Sequence, residues 1–290
     1  MQDFRIIKKC ILKGKKSNMK RHRWRFDPTR EEPFEISRSG IDMFIKCPAC
    51  FWMKIVKGIK FPGMPGFLLN TATDTLLKKD FDNYRAIGKP HPLMEKHGLG
   101  HLVPYNHDDF ETWTKSLQLG LRTDFDEQNL IVGGGLDDVW HNPETNEIHI
   151  VDYKSTASAK NEEGDGLKKV VLEGAYKEGY KRQMDIYSWI MRRNGFNVSK
   201  DCFFVYVNGD QHFEDGMLLG NPDKGKMMFD VQLIKYVSDD SWVSKTLAHL
   251  KSCLLQDTCP EHTQSGYGPK GDKPCENFVL FEGMRENNLI

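Results

Sequence analysis

One stretch constrains this chain more than any other: residues 131–154, IVGGGLDDVWHNPETNEIHIVDYK. Two runs rich in β-branched and aromatic residues flank a polar turn, Asn142-Pro143-Glu144-Thr145-Asn146, a pattern that predicts a β-hairpin. Side chains alternate across a strand, so Asp152 and Lys154 share one face and Tyr153 takes the other. A turn centred between Glu144 and Thr145 sets Asp137 across from Asp152, and Val139 and Ile150 on one face. Two carboxylates and an ammonium then converge at the end of an otherwise apolar face. Burying such groups is costly unless they are paired or hold a metal ion. Asp138 falls on the opposite face and is expected to meet solvent.

The rest of the chain supplies helices and further strands. Residues 175–194 carry Tyr176, Tyr180, Gln183, Tyr187, Ile190 and Met191 at helical spacing, and Gly195 ends the run. Gln183 and Tyr187 lie four apart and share a face. Ser37 or Ser39 is suited to cap a helix through Ile41, Phe44 and Ile45. A Pro/Gly linker, Phe61 to Gly66, precedes helical spacing over residues 67–79. Residues 202–207 (CFFVYV) predict a buried strand with Cys202 in the core. Residues 228–237 alternate as a strand, and 239–255 are amphipathic. Residues 88–108 predict a loop, and the irregular spacing of His91, His97, His101 and His107 marks them as surface histidines. The run Gly133-Gly134-Gly135 lacks the G-K-[ST] of a phosphate loop, so its glycines are expected to let a ligand or a neighbouring backbone come close.

Composition bounds the class. The 290 residues hold 41 Lys+Arg and 41 Asp+Glu, so net charge steers nothing. The basic residues cluster, with Lys8, Lys9, Lys13, Lys15, Lys16, Lys20, Arg21, Arg23 and Arg25 near the start; such a run is a solvated tail or a phosphate-contacting arm. No apolar stretch approaches the roughly 20 residues of a membrane span. Seven unevenly placed cysteines do not make a secreted disulfide scaffold. A cytoplasmic protein is the expectation.

The ordered set G-x-L-D (Gly134 to Asp137), D-x-K (Asp152 to Lys154) and Q-x-x-x-Y (Gln183 to Tyr187) resembles the PD-(D/E)XK nucleases, in particular the RecB-like branch that includes CRISPR-associated exonucleases. The sharp motifs are confined to residues 131–187. The resemblance implies an α/β fold with a restriction-endonuclease-like core, a central mixed β-sheet flanked by helices. One nuclease domain would span 34–290, after a basic, flexible arm over 1–33. The implied activity is Mg²⁺- or Mn²⁺-dependent hydrolysis of DNA phosphodiesters, with exonuclease-like action on single-stranded ends favoured. Asp137 and Asp152 would hold the cation, with the Tyr153 carbonyl as a further oxygen ligand. Lys154 would orient the attacking hydroxide or neutralise developing charge, and Gln183 and Tyr187 would position the strand or the water. Where the family has Gly and then His, this chain has Asn70 and Asp74, so Asp74 would stand in as an oxygen ligand.

The same resemblance gives Cys47 as the first ligand of an iron–sulfur cluster completed by C-terminal cysteines, here Cys259 and Cys275. Phe278 occupies the place of a C-x-x-C partner. Four thiolates, Cys47, Cys50, Cys259 and Cys275, could gather around zinc or an iron–sulfur cluster. DNA is the implied partner, together with proteins of a DNA-processing complex, and no membrane. The alternative is a catalytically silent nucleic-acid-binding module of the same fold, motivated by Asn70, Asp74 and the altered cysteine set.

Overall fold

The computed structural model describes residues 21–61, 66–115, 120–212, 216–218, 222–267, 272–275 and 277–287. In chain order the elements are β1 (Phe34–Ser37), α1 (Arg38–Lys46), α2 (Pro48–Ile55), α3 (Leu68–Ile87), α4 (Pro92–Lys96), β2 (Val103–Pro104), α5 (Phe110–Thr114), β3 (Leu121–Phe125), β4 (Leu130–Gly134), β5 (Asp138–Asn142), β6 (Glu147–Thr156), α6 (Glu178–Arg193), β7 (Asp201–Gly209), β8 (Phe229–Val237), α7 (Val243–Leu254) and α8 (Phe278–Glu286).

The β5–β6 hairpin follows from local chemistry. Asn142 Oδ1 accepts the N–H groups of Glu144 and Thr145 at 3.0 and 3.4 Å, and Asn146 adopts a left-handed φ of 56°. The register sets Asp138 opposite Val151 and Val139 opposite Ile150, as a turn centred between Glu144 and Thr145 requires. The run before Asp138 does not continue the hairpin. The chain leaves the ladder over residues 135–137, where the Leu136 N–H donates to the Trp113 carbonyl at 3.1 Å. Farther back, β4 pairs in parallel with β1 and antiparallel with β3. The single strand expected from Ile131 onward is therefore two strands in two sheets.

Two mixed sheets, β1-β4-β3 and β2-β5-β6-β7-β8, replace the expected single central sheet. Helices flank both. In the larger sheet β6 and β7 run parallel, because α6 carries the chain back between them. Side-chain alternation divides this sheet between two cores. Val139, Ile148, Ile150, Phe204 and Tyr206 join the main core with residues of α1, α2, α6 and α7. Trp140, Val151, Tyr153, Phe203 and Val205 join a second core closed by Phe81 of α3 and Met94 of α4.

That second core corrects the expectation for Asp138. It does lie on the face opposite Asp137, but α3 covers that face, and Asp138 is fully buried. Its carboxylate lies 2.6 Å from Arg85 Nη2 and accepts hydrogen bonds from Tyr153 Oη at 2.6 Å, Trp140 Nε1 at 3.3 Å and the Val139 N–H at 2.8 Å. Burial pushes its pKa up, against the pull of Arg85 and Tyr153. Arg85→Met should cost about 3–5 kcal/mol in denaturant titrations at neutral pH, because it leaves a buried carboxylate without its counter-ion. The pKa is raised on folding, so between the unfolded and folded values the native state binds more protons, and stability falls as pH rises through that window. Loss of Arg85 widens the window, so the variant's deficit should be smaller at about pH 5 than at about pH 8.

The expected flexible arm is packed from its thirteenth-last residue onward. His22 and Phe26 are buried and meet Phe34 with ring centroids 5.0 and 5.4 Å away, and Arg21 pairs with Glu35. The remainder of the arm, with Lys8 to Lys20, lies outside the described residues. Two of the four loop histidines are also packed. His91 Nδ1 accepts the Leu93 N–H at 3.0 Å, and its ring stacks on Phe81 at 4.3 Å. His107 stacks on Trp113 at 4.6 Å. No helix among the described residues is long and apolar enough to cross a membrane.

Candidate functional site

The site lies where β6 runs out from under α6. Asp152 and Lys154 share the main-core face, as alternation requires, and form an ion pair. Gln183 of α6 donates from Nε2 to Asp152 Oδ1 at 2.5 Å. Asp152 Oδ2 is buried and accepts no hydrogen bond of acceptable geometry; the Lys154 ammonium is its ionic partner. Tyr187, one turn beyond Gln183, is buried and engages Arg38 at the start of α1. It reaches this place because residue 134 is glycine. A Cβ there would lie 2.5 Å from Tyr187 Cε1 and 3.0 Å from its hydroxyl. The glycine run thus admits a side chain of the same protein. Gly134→Ala should displace the Tyr187 ring and cost about 1–3 kcal/mol, measured by chemical denaturation.

Asp137 lies just outside β5. Its Oδ2 accepts the Tyr153 N–H at 3.1 Å, beyond the last β5–β6 pair. The two carboxylates are close enough that the charge of Asp137 acts on Asp152. Burial pushes the Asp152 pKa up, Lys154 opposes this, and the Asp137 charge adds to it. Burial works against the Lys154 ammonium, but the charges of Asp152 and Asp137 prevail and raise its pKa. Asp137, Asp152 and Lys154 therefore converge.

Helix α3 adds a second lysine that the motif reading passed over. Lys78 Nζ lies 2.9 Å from Asp74 Oδ2 and 3.3 Å from Asp137 Oδ1. The pair Asp74–Lys78, spaced i,i+4 on a helical pattern, was its signal in the sequence. Asp74 lines a cleft of about 300 Å³ with Asn70, Thr71, Tyr153, Lys154, Ser155 and Tyr180. It faces the site, yet it does not join Asp137 and Asp152 in a group with mutually close ligand atoms; among the described residues only one such group of three or more forms, and it lies elsewhere. Lys78 stands between Asp74 and Asp137 instead.

That one group is Cys47, Cys50, His262 and Cys275, all buried, with ligand atoms within 4.8 Å of one another. It could hold a metal ion such as zinc. Cys47 and Cys50 flank the first turn of α2, while His262 and Cys275 come from the tail. The tail folds back through paired backbone bonds between Tyr267 and Lys273, and the Cys275 N–H donates to the Thr263 carbonyl at 3.0 Å. His262 Nδ1 lies 3.4 Å from Cys47 Sγ, and Cys50 Sγ lies 3.0 Å from Cys275 Sγ. His262 Nε2 is buried without a hydrogen-bond partner. Hydrogen bonding from Cys50 holds the Cys47 thiol well below the ordinary range, and the same contact pushes Cys50 up.

This corrects the expected ligand set. Cys259 is half-buried and outside the group; His262 takes that place, and Cys50 is a full member. The spacing Cys47-x-x-Cys50 was the signal in the sequence, because it is a common zinc-ligand spacing. Cys202 sits in the core beside Ser188, as expected. No family model matches this chain, and no curated protein sequence matches it.

Proposed function

We propose that this protein is a divalent-metal-dependent nuclease acting on DNA phosphodiesters, with a restriction-endonuclease-like core. The observation that carries the reading is the convergence of Asp137, Asp152 and Lys154 under Gln183, beside a cleft that α3 and Tyr180 line. The donor set fits a hard cation. Two carboxylates are close together, and among the described residues no thiol or imidazole joins them in one ligand group. Asp137 and Asp152 would hold Mg²⁺ or Mn²⁺, with the Tyr153 carbonyl as a further ligand. The cation would supply acidity to a water and charge against a phosphate oxygen. Lys154 orients the attacking hydroxide and offsets negative charge as it develops. Gln183 holds the Asp152 carboxylate in position through its amide. Tyr187, one turn along α6 and packed against Gly134, would position the strand or the water. Asp74 acts through Lys78 in this reading, because the lysine separates it from Asp137.

Zinc is the metal that best suits the second site, since three cysteines and one histidine are a tetrahedral zinc set. Its role is structural: it ties the tail to α2.

A second reading, a silent nucleic-acid-binding module, is favoured by two contacts. The Lys78 ammonium on Asp137 and the Lys154 ammonium on Asp152 each compete with a cation for a carboxylate oxygen. Purified protein incubated with labelled single- and double-stranded DNA and Mg²⁺ or Mn²⁺ decides between the two. Metal-dependent shortening supports the nuclease; intact DNA that is nevertheless bound supports the module.

A further inference from the structure

Lys177 has no part in the reading above. It sits at the turn that starts α6, and only 5% of it is exposed. Its Nζ donates to Tyr206 Oη at 2.7 Å. The same nitrogen lies 4.5 Å from the Tyr206 ring, 4.9 Å from Tyr176 and 5.4 Å from Tyr180. An ammonium has three donors, and the tyrosine hydroxyl takes one. Among the described residues no carboxylate oxygen lies within 4.0 Å of it.

Lys154 is its neighbour. Lys154 Nζ lies 4.8 Å from the ring of Tyr180, which Lys177 approaches too, and Lys154 is the register partner of Tyr206. The two ammoniums therefore stand on one sheet face. Burial, and then the charge of Lys154, lower the Lys177 pKa. Lys154 is balanced by Asp152 and Asp137, whereas among the described residues no acid forms an ion pair with Lys177. Aromatic faces offset part of the cost of a buried cation, and an anionic ligand offsets the rest. Tyr176 is 69% exposed, so a stacking face lies open beside the ammonium.

We propose that Lys177, Tyr176 and Tyr180 form a nucleotide subsite next to the cleft. Lys177 binds a phosphate of the nucleic-acid strand, and Tyr176 stacks a base. This rests on the nucleic-acid reading of the cleft but not on hydrolysis. The phosphate is either internal to the strand or terminal.

The test is fluorescence anisotropy of short single-stranded oligonucleotides, without added divalent ion, with and without terminal phosphates, across a salt series. Lys177→Met should bind about five- to tenfold more weakly at low salt, and the slope of log affinity against log salt should shrink by about 0.7, one phosphate contact on a single strand. Lys177→Arg should keep the slope. Tyr176→Ala should weaken binding and leave the slope alone, since stacking releases no counter-ion. Lys177→Met should melt at or above the wild-type temperature, because it removes an unbalanced buried charge at similar volume. Loss of the contact with every oligonucleotide marks an internal phosphate; loss only with phosphorylated ends marks a terminal one. The proposal is overturned by a wild type that binds no oligonucleotide, by wild-type affinity and slope in Lys177→Met, or by a Lys177→Met protein that loses stability while binding normally. A slope change in a protein that cleaves nothing keeps the subsite and removes the hydrolase.

Discussion

If the proposed nuclease reading holds, Asp152→Asn and Lys154→Ala should each reduce DNA cleavage by at least two orders of magnitude, while oligonucleotide binding by Lys154→Ala should fall little. Asp152→Asn keeps the shape of the side chain and removes a charge that a hard cation needs. The neutral amide also donates, so Gln183 Nε2, now 2.5 Å from Asp152 Oδ1, faces a changed partner. Lys154→Ala leaves both carboxylates in place and removes the ammonium that would meet developing charge. Losing one such stabilising group from a preorganised site costs about 10²–10³ in rate. Binding is spread over many phosphate contacts, so one lysine changes it modestly. Asp137→Asn should match Asp152→Asn, because both are assigned to one cation. Gln183→Ala should be milder, since it only positions. Gel assays across Mg²⁺ and Mn²⁺ read all four, and cleavage that survives Asp152→Asn removes the assignment of this site. Lys78→Ala separates the two readings of the cleft. It frees an oxygen of Asp137 now 3.3 Å from the ammonium, so a nuclease should need less metal for half-maximal rate, whereas a silent module stays silent.

Protein purified without chelator should carry one zinc per chain by elemental analysis, and Cys275→Ser or His262→Ala should abolish it. Structural zinc in finger peptides binds with about 10–16 kcal/mol, so its removal is among the largest perturbations available to this fold. The consequence should be local first. The tail that bears His262 and Cys275 holds α8 against the core, where Phe281 is fully buried and lies 4.3 Å from the His262 ring and 5.6 Å from Phe61. Chelation should lower the melting temperature and make residues beyond α7 sensitive to limited proteolysis, with the two sheets left intact. Falling pH should act the same way, because bound cysteines must be deprotonated and burial already raises Cys275 above the ordinary thiol value. Cys259→Ser is the control: it lies outside the four-residue group and should retain the metal. Iron in the analysis, with a brown protein, replaces zinc with a cluster; absence of both metals removes the site.

The hairpin register was legible because a two-period pattern and a local turn determine it together. Asn142 and Asn146 build the turn from residues within it, and every pair from Asp138–Val151 to Asn142–Glu147 follows. Alternation then places Asp152 and Lys154 on one face, and helical spacing places Gln183 and Tyr187 on another element's matching face. Short-range periodicity carries no information about what covers a face. Asp138 was separable from Asp137 by alternation alone, but only α3, arriving from some fifty residues earlier in the chain, buries it against Arg85. The same limit hid the break at residues 135–137, since β4 finds its partners in β1 and β3 rather than in its neighbour. The metal-ligand group shows the division most plainly. Cys47, Cys50 and Cys275 were visible as candidate donors, but the choice of His262 over Cys259 depends on how the tail folds back through Tyr267 and Lys273. Local pattern sets the periodic elements, the turn and the chemical character of each donor. Which faces are covered and which distant donors meet depends on long-range packing that no local pattern encodes.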